Sequence, residues 1–298
     1  MDEKKYHYSE IFYSIQGEGH YTGVPTAWIR FFLCNLQCSG FGQEDPTNPD
    51  TYELPYETYD ISQIKRVEDL PVWDKGCDSS YTWAKKYKHL MGQATPKELA
   101  DKVVDILRNK SNPDGLFYHP VSQQHQHLCI TGGEPLMKNT QDAIMGIVDE
   151  LFARENDPGS ITFETNGTQK LKPEFEKWID NTDCEFFFSV SPKLFTVSGE
   201  KNAKAIHPEI VKQYNSHSLH GQLKFVVGDK QEQWSELNTI VKQFRNAGVY
   251  WPVWIMPVGA KEEDQLDTAG EVARMAFQRG YNVAARVQCY LFGNAIGT

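Results

Sequence analysis

The chain reads as an α/β protein, a parallel sheet covered by helices and wound either as an open sheet or as a partial barrel. Short apolar runs alternate with amphipathic stretches of helical period after about residue 95, the pattern of strand–helix–strand units. The apolar runs end in polar segments punctuated by Gly or Pro, which suits strand ends that carry ligands. Composition agrees: 298 residues with 40% hydrophobic, 23% charged and 12% aromatic residues describe a folded domain with ample core, and exclude disorder, collagen-like repeats and a small disulfide scaffold.

Strands are expected at 27–33 (AWIRFFL), 127–131 (HLCIT), 161–165 (ITFET), 185–190 (EFFFSV), 222–227 (QLKFVV) and 252–256 (PVWIM), with 283–288 able to close the series. Helices are expected between them at 96–109, 139–154, 173–181, 230–246 and 262–279. Pro96 after Thr95 and Pro173 after Lys172 mark first helical turns, and Thr95 adds a cap side chain. Two segments break the rhythm. Residues 193–221 are long, polar and rich in Lys and His. Residues 39–76 carry nine Asp or Glu against Lys65, Arg66 and Lys75, and so supply six of the ten net negative charges. A stretch that long inside a compact domain is either functional or a solvated excursion. No repeat or low-complexity tract appears, and one domain over 1–298 is expected, with 39–76 set into it.

The net charge of −10 and pI near 5.4 argue against a nucleic-acid partner held through phosphate neutralisation. No apolar run reaches the ~18 residues of a membrane helix, and the opening MDEKKYHYSE has no apolar stretch behind its charges. The expected compartment is the reducing cytoplasm, where the six Cys serve as ligands or buried thiols rather than disulfides.

Cys34 and Cys38 bracket Asn35-Leu36-Gln37 at a strand end, where a pair of thiolates suits a soft metal or an iron–sulfur cluster. Cys77 follows in sequence. Cys129, Cys184 and Cys289 lie in or beside apolar runs and read as buried thiols. Three ligands to a metal that wants four is an open site, whereas structural zinc finds a fourth Cys or His. Gly132-Gly133, Glu164–Thr168 (ETNGT), Ser191-Pro192-Lys193 and Met256–Gly259 are further punctuated strand ends, and together they make a rim suited to a polar ligand.

The run Glu10–Gly19 (EIFYSIQGEG), with Thr22-Gly23-Val24-Pro25 and Ile29–Cys38, closely resembles the start of the 7-carboxy-7-deazaguanine synthase family of radical S-adenosylmethionine (SAM) enzymes. TGGEP at Thr131–Pro135, ETNGT and SPK match further landmarks of that family. The family spacing C-x3-C-x2-C has Phe41 in its third position here, and its trailing run reappears as Cys77-Asp78-Ser79-Ser80-Tyr81-Thr82-Trp83. The resemblance therefore implies a partial (β/α)6-type radical SAM barrel with a long acidic insertion in the cluster-binding loop. It implies a 4Fe-4S cluster on Cys34, Cys38 and Cys77, with one iron left for SAM. Gly76, Cys77, Asp78, Gly133, Ser191, Pro192 and Lys193 would meet SAM. Ile15, Gln16, Gly17, Arg30, Thr131 and Glu164 would meet the substrate, with Arg30 and Glu164 nearest the chemistry. Ser79 replaces a family Thr and would offer one hard oxygen to Mg2+.

The implied reaction is that of a carbon–nitrogen lyase of queuosine-type 7-deazapurine biosynthesis. Hydrogen abstraction from 6-carboxy-5,6,7,8-tetrahydropterin is followed by ring contraction and loss of ammonia, giving 7-carboxy-7-deazaguanine. Implied partners are an electron donor such as a flavodoxin and a second copy of the chain in a homodimer. The C-terminal Arg286–Asn294 lacks the family's Gln-x-His-Lys run, so no substrate contact carries over there. Other readings are a radical SAM activase of a glycyl-radical partner, a non-enzymatic zinc-binding interaction module, and a relic that keeps the fold without turnover.

Overall fold

Nine strands form one mixed sheet in the computed structural model, which describes residues 3–298. They are β1 (Tyr6–Ile15), β2 (Pro25–Phe31), β3 (Gly92–Ala94), β4 (His127–Gly132), β5 (Ser160–Thr165), β6 (Glu185–Val190), β7 (Gly221–Val227), β8 (Val253–Pro257) and β9 (Asn282–Val283). The order is β3-β1-β2-β4-β5-β6-β7-β8-β9. β1 runs antiparallel to both of its neighbours, and every pairing from β2 to β9 is parallel. Among the described residues β3 and β9 do not pair, so the sheet is open at both edges.

The helices lie between successive parallel strands, as crossovers require. The first, Pro96–Leu107, opens on a capping box: Thr95 Oγ1 accepts from the Glu98 amide at 3.2 Å while Glu98 Oε2 accepts from the Thr95 amide at 2.8 Å. It buries Leu99, Val103 and Leu107 completely, each contributing about 1.5–3 kcal/mol. Lys138–Phe152, Pro173–Asn181, Gln231–Ala247 and Glu262–Phe277 follow in turn.

The period of two in the strands explains both the core and the site. Ile29, Leu128, Ile130, Ile161, Phe163, Phe188, Leu223, Phe225 and Ile255 belong to one continuous apolar core. Their alternates are also buried but polar: Thr26, His127, Thr162, Ser189, Gln222 and Lys224 are each at most 4% exposed. These alternates bond one another across the strands. His127 bonds Thr162 and Ser160 at 2.7 and 2.8 Å, and Gln222 donates to Ser189 at 2.8 Å. The turn after β1 closes this polar face at the amino ends of the strands. His20 stacks on Phe187, Tyr21 lies against His127 with centroids 4.6 Å apart, and Tyr21 Oη donates to Glu185 at 2.6 Å.

Several sequence expectations need correction. Residues 283–288 are not a strand: only Asn282–Val283 pair, and Val287–Phe292 is helical with Cys289 as its one buried residue. Residues 193–221 hold the helices Phe195–Ser198, Asn202–Ala205 and Pro208–His217. β2 ends at Phe31, short of the expected 33, because Leu33 turns the chain at φ 91°. β1 and β3 were not expected as strands.

Residues 39–76 are not simply solvated. Tyr56, Val67, Leu70 and Trp73 form a second small core with Tyr81 and Tyr87. The segment leaves and rejoins the fold at one neck, where the Gly76 amide donates to the Phe41 carbonyl at 2.7 Å. Gly42 sits in that neck at φ 68°, and a Cβ there would lie 2.3 Å from the Asp74 carbonyl oxygen, so neither the turn nor the approach admits a side chain.

Candidate active site

A cavity of about 660 Å³ opens at the carboxyl ends of the parallel strands. On the cluster-loop side it is lined by Cys34, Cys38, Gly76, Cys77, Asp78, Ser79, Gly133, Ser191 and Lys193. On the other side it is lined by Ile15, Gln16, Gly17, Arg30, Thr131 and Glu164. Of the residues expected to hold a metal or meet SAM or substrate, Pro192 alone is not part of the lining. The wall is completed by Phe41, Gly42, Val72, Asp74 and Lys75 from the acidic segment and by Asn294–Thr298.

The neck at Phe41 and Gly76 returns Cys77 to Cys34 and Cys38, and the three thiols gather around Leu36, Phe41 and Ala205. The strand-end motifs brace this loop. The Glu134 amide donates to the Leu33 carbonyl at 2.8 Å, Asn166 Nδ2 donates to Asn35 Oδ1 at 3.1 Å, and Asn35 Nδ2 donates to Thr168 Oγ1 at 2.9 Å. Glu134 is buried, and its carboxylate collects the Leu136 and Asn166 amides and the Thr165 hydroxyl at 2.7–2.9 Å. It therefore ties the ends of β4 and β5 together. Gly133 passes so close to the loop that a Cβ would meet the Leu33 carbonyl oxygen at 2.4 Å.

Burial pushes the Cys34 thiol up to about 12 and the Cys77 thiol to about 11, and lifts Cys38 well above its ordinary value. Neighbouring thiols add to the rise at Cys34 and Cys38, and the Lys193 ammonium opposes it at all three. Such thiols lose their protons to a metal rather than to water. Among the described residues no group of three His, Cys, Asp or Glu closes on a single metal-ion position. The donor set at this loop is three thiols with no imidazole. It fits an iron–sulfur cluster that keeps one iron open, and lacks the fourth ligand of structural zinc.

Below the thiols lies a buried ionic floor. Lys224 Nζ donates to Glu18 Oε2 at 2.7 Å and to Glu164 Oε2 at 2.9 Å. Glu164 also accepts from Gln16 Nε2 at 3.2 Å and Ser189 Oγ at 3.1 Å. Arg286 spans Glu18 Oε1 at 3.0 Å and Asp78 Oδ2 at 3.1 Å, and Gln288 Nε2 donates to Glu18 Oε1 at 2.9 Å. Burial by itself would raise the Glu18 carboxyl, but Lys224 and Arg286 outweigh it and hold the group far below the usual carboxylate range. Asp78 is likewise lowered against its burial, chiefly by Arg286. Lys224 is raised, its two carboxylate partners overcoming desolvation. Arg30 Nε donates to Glu10 Oε1 at 2.6 Å, and Tyr81 Oη donates to the same oxygen at 2.8 Å. Ser79 Oγ donates to Asp78 Oδ1 at 3.0 Å, and Lys193 Nζ to Ser191 Oγ at 2.8 Å.

Sequence reasoning did not single out Lys224, Arg286, Glu10 or Gln288 as site residues. Lys224 had a signal, a lone cation inside the apolar strand QLKFVV. Arg286 and Gln288 had none, because they lie at the start of the short helix Val287–Phe292, whose apolar run reads equally well as a strand.

Fold and site together define an α/β protein with a cavity at the carboxyl ends of its parallel strands, beside three gathered thiols. No family model matches the chain. The 7-carboxy-7-deazaguanine synthase of Rhodopirellula baltica is 28% identical to it over 97% of this chain and 88% of its own length. That of Pyrobaculum aerophilum is 24% identical over 97% of this chain and 95% of its own. The crystal structure of QueE from Escherichia coli is 18% identical and has a TM-score of 0.51 over 95% of this chain and 94% of that one, which extends the likeness to the fold. The chain resembles the 7-carboxy-7-deazaguanine synthases along nearly its whole length.

Proposed function

We propose that the chain is a radical SAM lyase of 7-deazapurine biosynthesis that converts 6-carboxy-5,6,7,8-tetrahydropterin to 7-carboxy-7-deazaguanine with loss of ammonia. One observation carries the reading: three thiols and a charged floor meet in a single cavity, in a chain similar throughout to enzymes of that name. Cys34, Cys38 and Cys77 would hold the 4Fe-4S cluster, which together with SAM supplies a hydrogen-abstracting radical by one-electron cleavage.

The chain's own residues bind, orient and exclude water. Arg30 uses Nε on Glu10, which leaves the outer edge of its fork for the substrate carboxylate. Glu164 is aimed by Gln16, Ser189 and Lys224 and keeps acceptor capacity for the amino and ring N–H groups of a pterin. Lys224 Nζ donates to both Glu18 and Glu164 and, with Arg286, keeps Glu18 ionised. Ile15, Gln16, Gly17 and Thr131 complete the substrate side. Gly76, Asp78, Gly133, Ser191 and Lys193 complete the SAM side, where the Lys193 ammonium stands beside the thiols.

The finer reading has the sheet curved as a partial (β/α)6-type barrel, residues 39–76 inserted into the cluster loop of one domain, and Mg2+ held by Ser79 with substrate oxygens and water. It adds a homodimer, an electron donor of flavodoxin type and a cytoplasmic setting. No described helix is long and apolar enough to cross a membrane. Ser79→Ala should weaken the magnesium dependence of turnover and leave the cluster intact; a variant that titrates with magnesium like the parent removes the metal role. The function itself is tested by anaerobic turnover with SAM, reductant and the carboxy-tetrahydropterin, following product absorbance and mass. SAM cleavage without a deazapurine product would refute it.

A further inference from the structure

The loop that carries Cys34 and Cys38 is held from outside the cavity by one side chain. Cys38 has φ 53°, in the left-handed region that disfavours an L-residue with a side chain. Its amide and that of Gln37 both donate to a single oxygen, Glu200 Oε1, at 3.0 and 2.6 Å. The other oxygen, Oε2, accepts from Lys204 Nζ at 3.0 Å, four residues further on in the short helix Asn202–Ala205. Glu200 is only 8% exposed, so these charge-assisted bonds form largely out of water. The same contact is extended by the Gly40 amide, which donates to the Ser198 carbonyl at 2.9 Å, and by Ser198 Oγ, which accepts from the Glu200 amide at 3.2 Å. Successive amides that converge around a left-handed residue form a nest for an anion, and here the chain fills that nest with its own carboxylate.

We propose that Glu200 is a positioning residue for the three-thiol centre. By collecting the Gln37 and Cys38 amides on one oxygen it locks the left-handed turn at Cys38, so that this thiol already stands with Cys34 and Cys77 when the cluster is assembled. Lys204 aims the carboxylate. The inference rests on the reading of the loop as a cluster site, and gives Glu200 no ligand role, since both of its oxygens are engaged.

The test compares the full-length parent with Glu200→Ala, Glu200→Asp and Glu200→Gln. Iron and sulfide per chain are measured after anaerobic reconstitution, together with the rate of iron loss to a chelator. In the cluster-free protein, alkylation of each cysteine is followed by peptide mass spectrometry. Glu200→Ala frees both amides and should release iron about 10–100-fold faster, with Cys38 alkylated faster and Cys129 unchanged. Glu200→Asp keeps the charge but lacks the reach, and should behave like Glu200→Ala even if the latter folds poorly. Glu200→Gln keeps an acceptor at the Oε1 position and should stay near the parent. Parent-like iron retention and Cys38 alkylation in the Ala and Asp variants would overturn the proposal. A Gln variant as labile as Ala would also overturn it, because charge and not placement would then be at work. A parent that takes up no iron refutes the cluster reading instead, and the alkylation measurements still decide the role of Glu200.

Discussion

At the scale of single residues, burial sets the protonation of the groups that matter. Cys34, Cys38 and Cys77 are thiols raised far above neutrality, so on the proposed cluster reading each would exchange its proton for a metal bond. Removing any one leaves two thiols facing each other without the third. Cys77→Ala should therefore abolish the cluster's charge-transfer absorption and SAM cleavage, as Cys34→Ala should. Cys129→Ala and Cys289→Ala should keep both and lose at most about 2 kcal/mol of packing; a Cys77→Ala protein with a full cluster would show that another ligand completes the site. His127 presents the opposite case, a base held neutral. Burial lowers its pKa to about 4 from an ordinary ~6.5. Above ~6.5 the folded and unfolded chains are both neutral there and the residue is indifferent to pH. Below that value only the unfolded chain takes up the proton, so stability falls as pH drops toward the folded value. Between pH 7 and pH 5 this residue should cost the parent about 2 kcal/mol. Urea titrations at the two pH values should show that loss reduced in His127→Gln, and equal losses in both proteins would clear His127 of the effect.

At the scale of elements, what the sequence reveals depends on which face of an element carries the signal. β4 to β8 are legible because Leu128, Ile130, Ile161, Phe163, Phe186, Phe188, Leu223, Phe225, Val253 and Ile255 recur at every second position of their strands and pack under helices. β3 has three residues, too few for any period. β1 (YHYSEIFYSI) mixes aromatic and polar residues on both faces. The apolar run VQCYLF is ambiguous between strand and buried helix, and the structure resolves it as a helix that leaves Tyr290, Leu291 and Phe292 43–58% exposed. Pro208–His217 buries only Val211 and Tyr214, a stripe too thin to stand out from its polar surroundings. The acidic segment 39–76 looked solvated because its charges outnumber its aromatic residues, yet Tyr56 and Trp73 anchor it. Its neck is its weak point. Gly42→Ala sets a side chain at φ 68° against the Asp74 carbonyl, adding about 1–3 kcal/mol of strain. Limited proteolysis should then cleave within 43–75 faster than in the parent while the rest of the chain stays protected, and unchanged cleavage would mean that the satellite core alone holds the segment.

At the scale of the whole molecule, the ionic floor joins parts of the chain that lie far apart in sequence. Glu18 comes from the turn after β1, Glu164 from β5, Lys224 from β7, Arg286 from beyond β9, and Asp78 from beside Cys77. The strand-end motifs and the N-terminal run were legible because residues adjacent in sequence carry them. The floor was not, because each of its pairs is a long-range contact made only once the sheet is assembled. Lys224 is its hub, 4% exposed and shared by two carboxylates. Lys224→Met fills much the same volume but strands those carboxylates out of water, with Arg286 left to serve Glu18 and no cation at Glu164. The expected loss near neutral pH is about 3–5 kcal/mol. Its pH dependence follows from the depressed Glu18 carboxyl. In the parent that group's contribution is complete above the ordinary ~4.3 and is lost as pH falls toward the much lower folded value. In Lys224→Met the Glu18 carboxylate takes up its proton more readily in the folded state, so acid relieves the variant while it weakens the parent. The deficit measured by urea denaturation should therefore narrow between pH 7 and pH 4 by about 1 kcal/mol or more. Adding Glu164→Gln to Lys224→Met should recover part of the loss at pH 7 by removing one stranded charge. A deficit that stays constant with pH, or a double variant weaker than the single one, would mean that Lys224 stabilises the chain by packing and not by holding the floor's charges together.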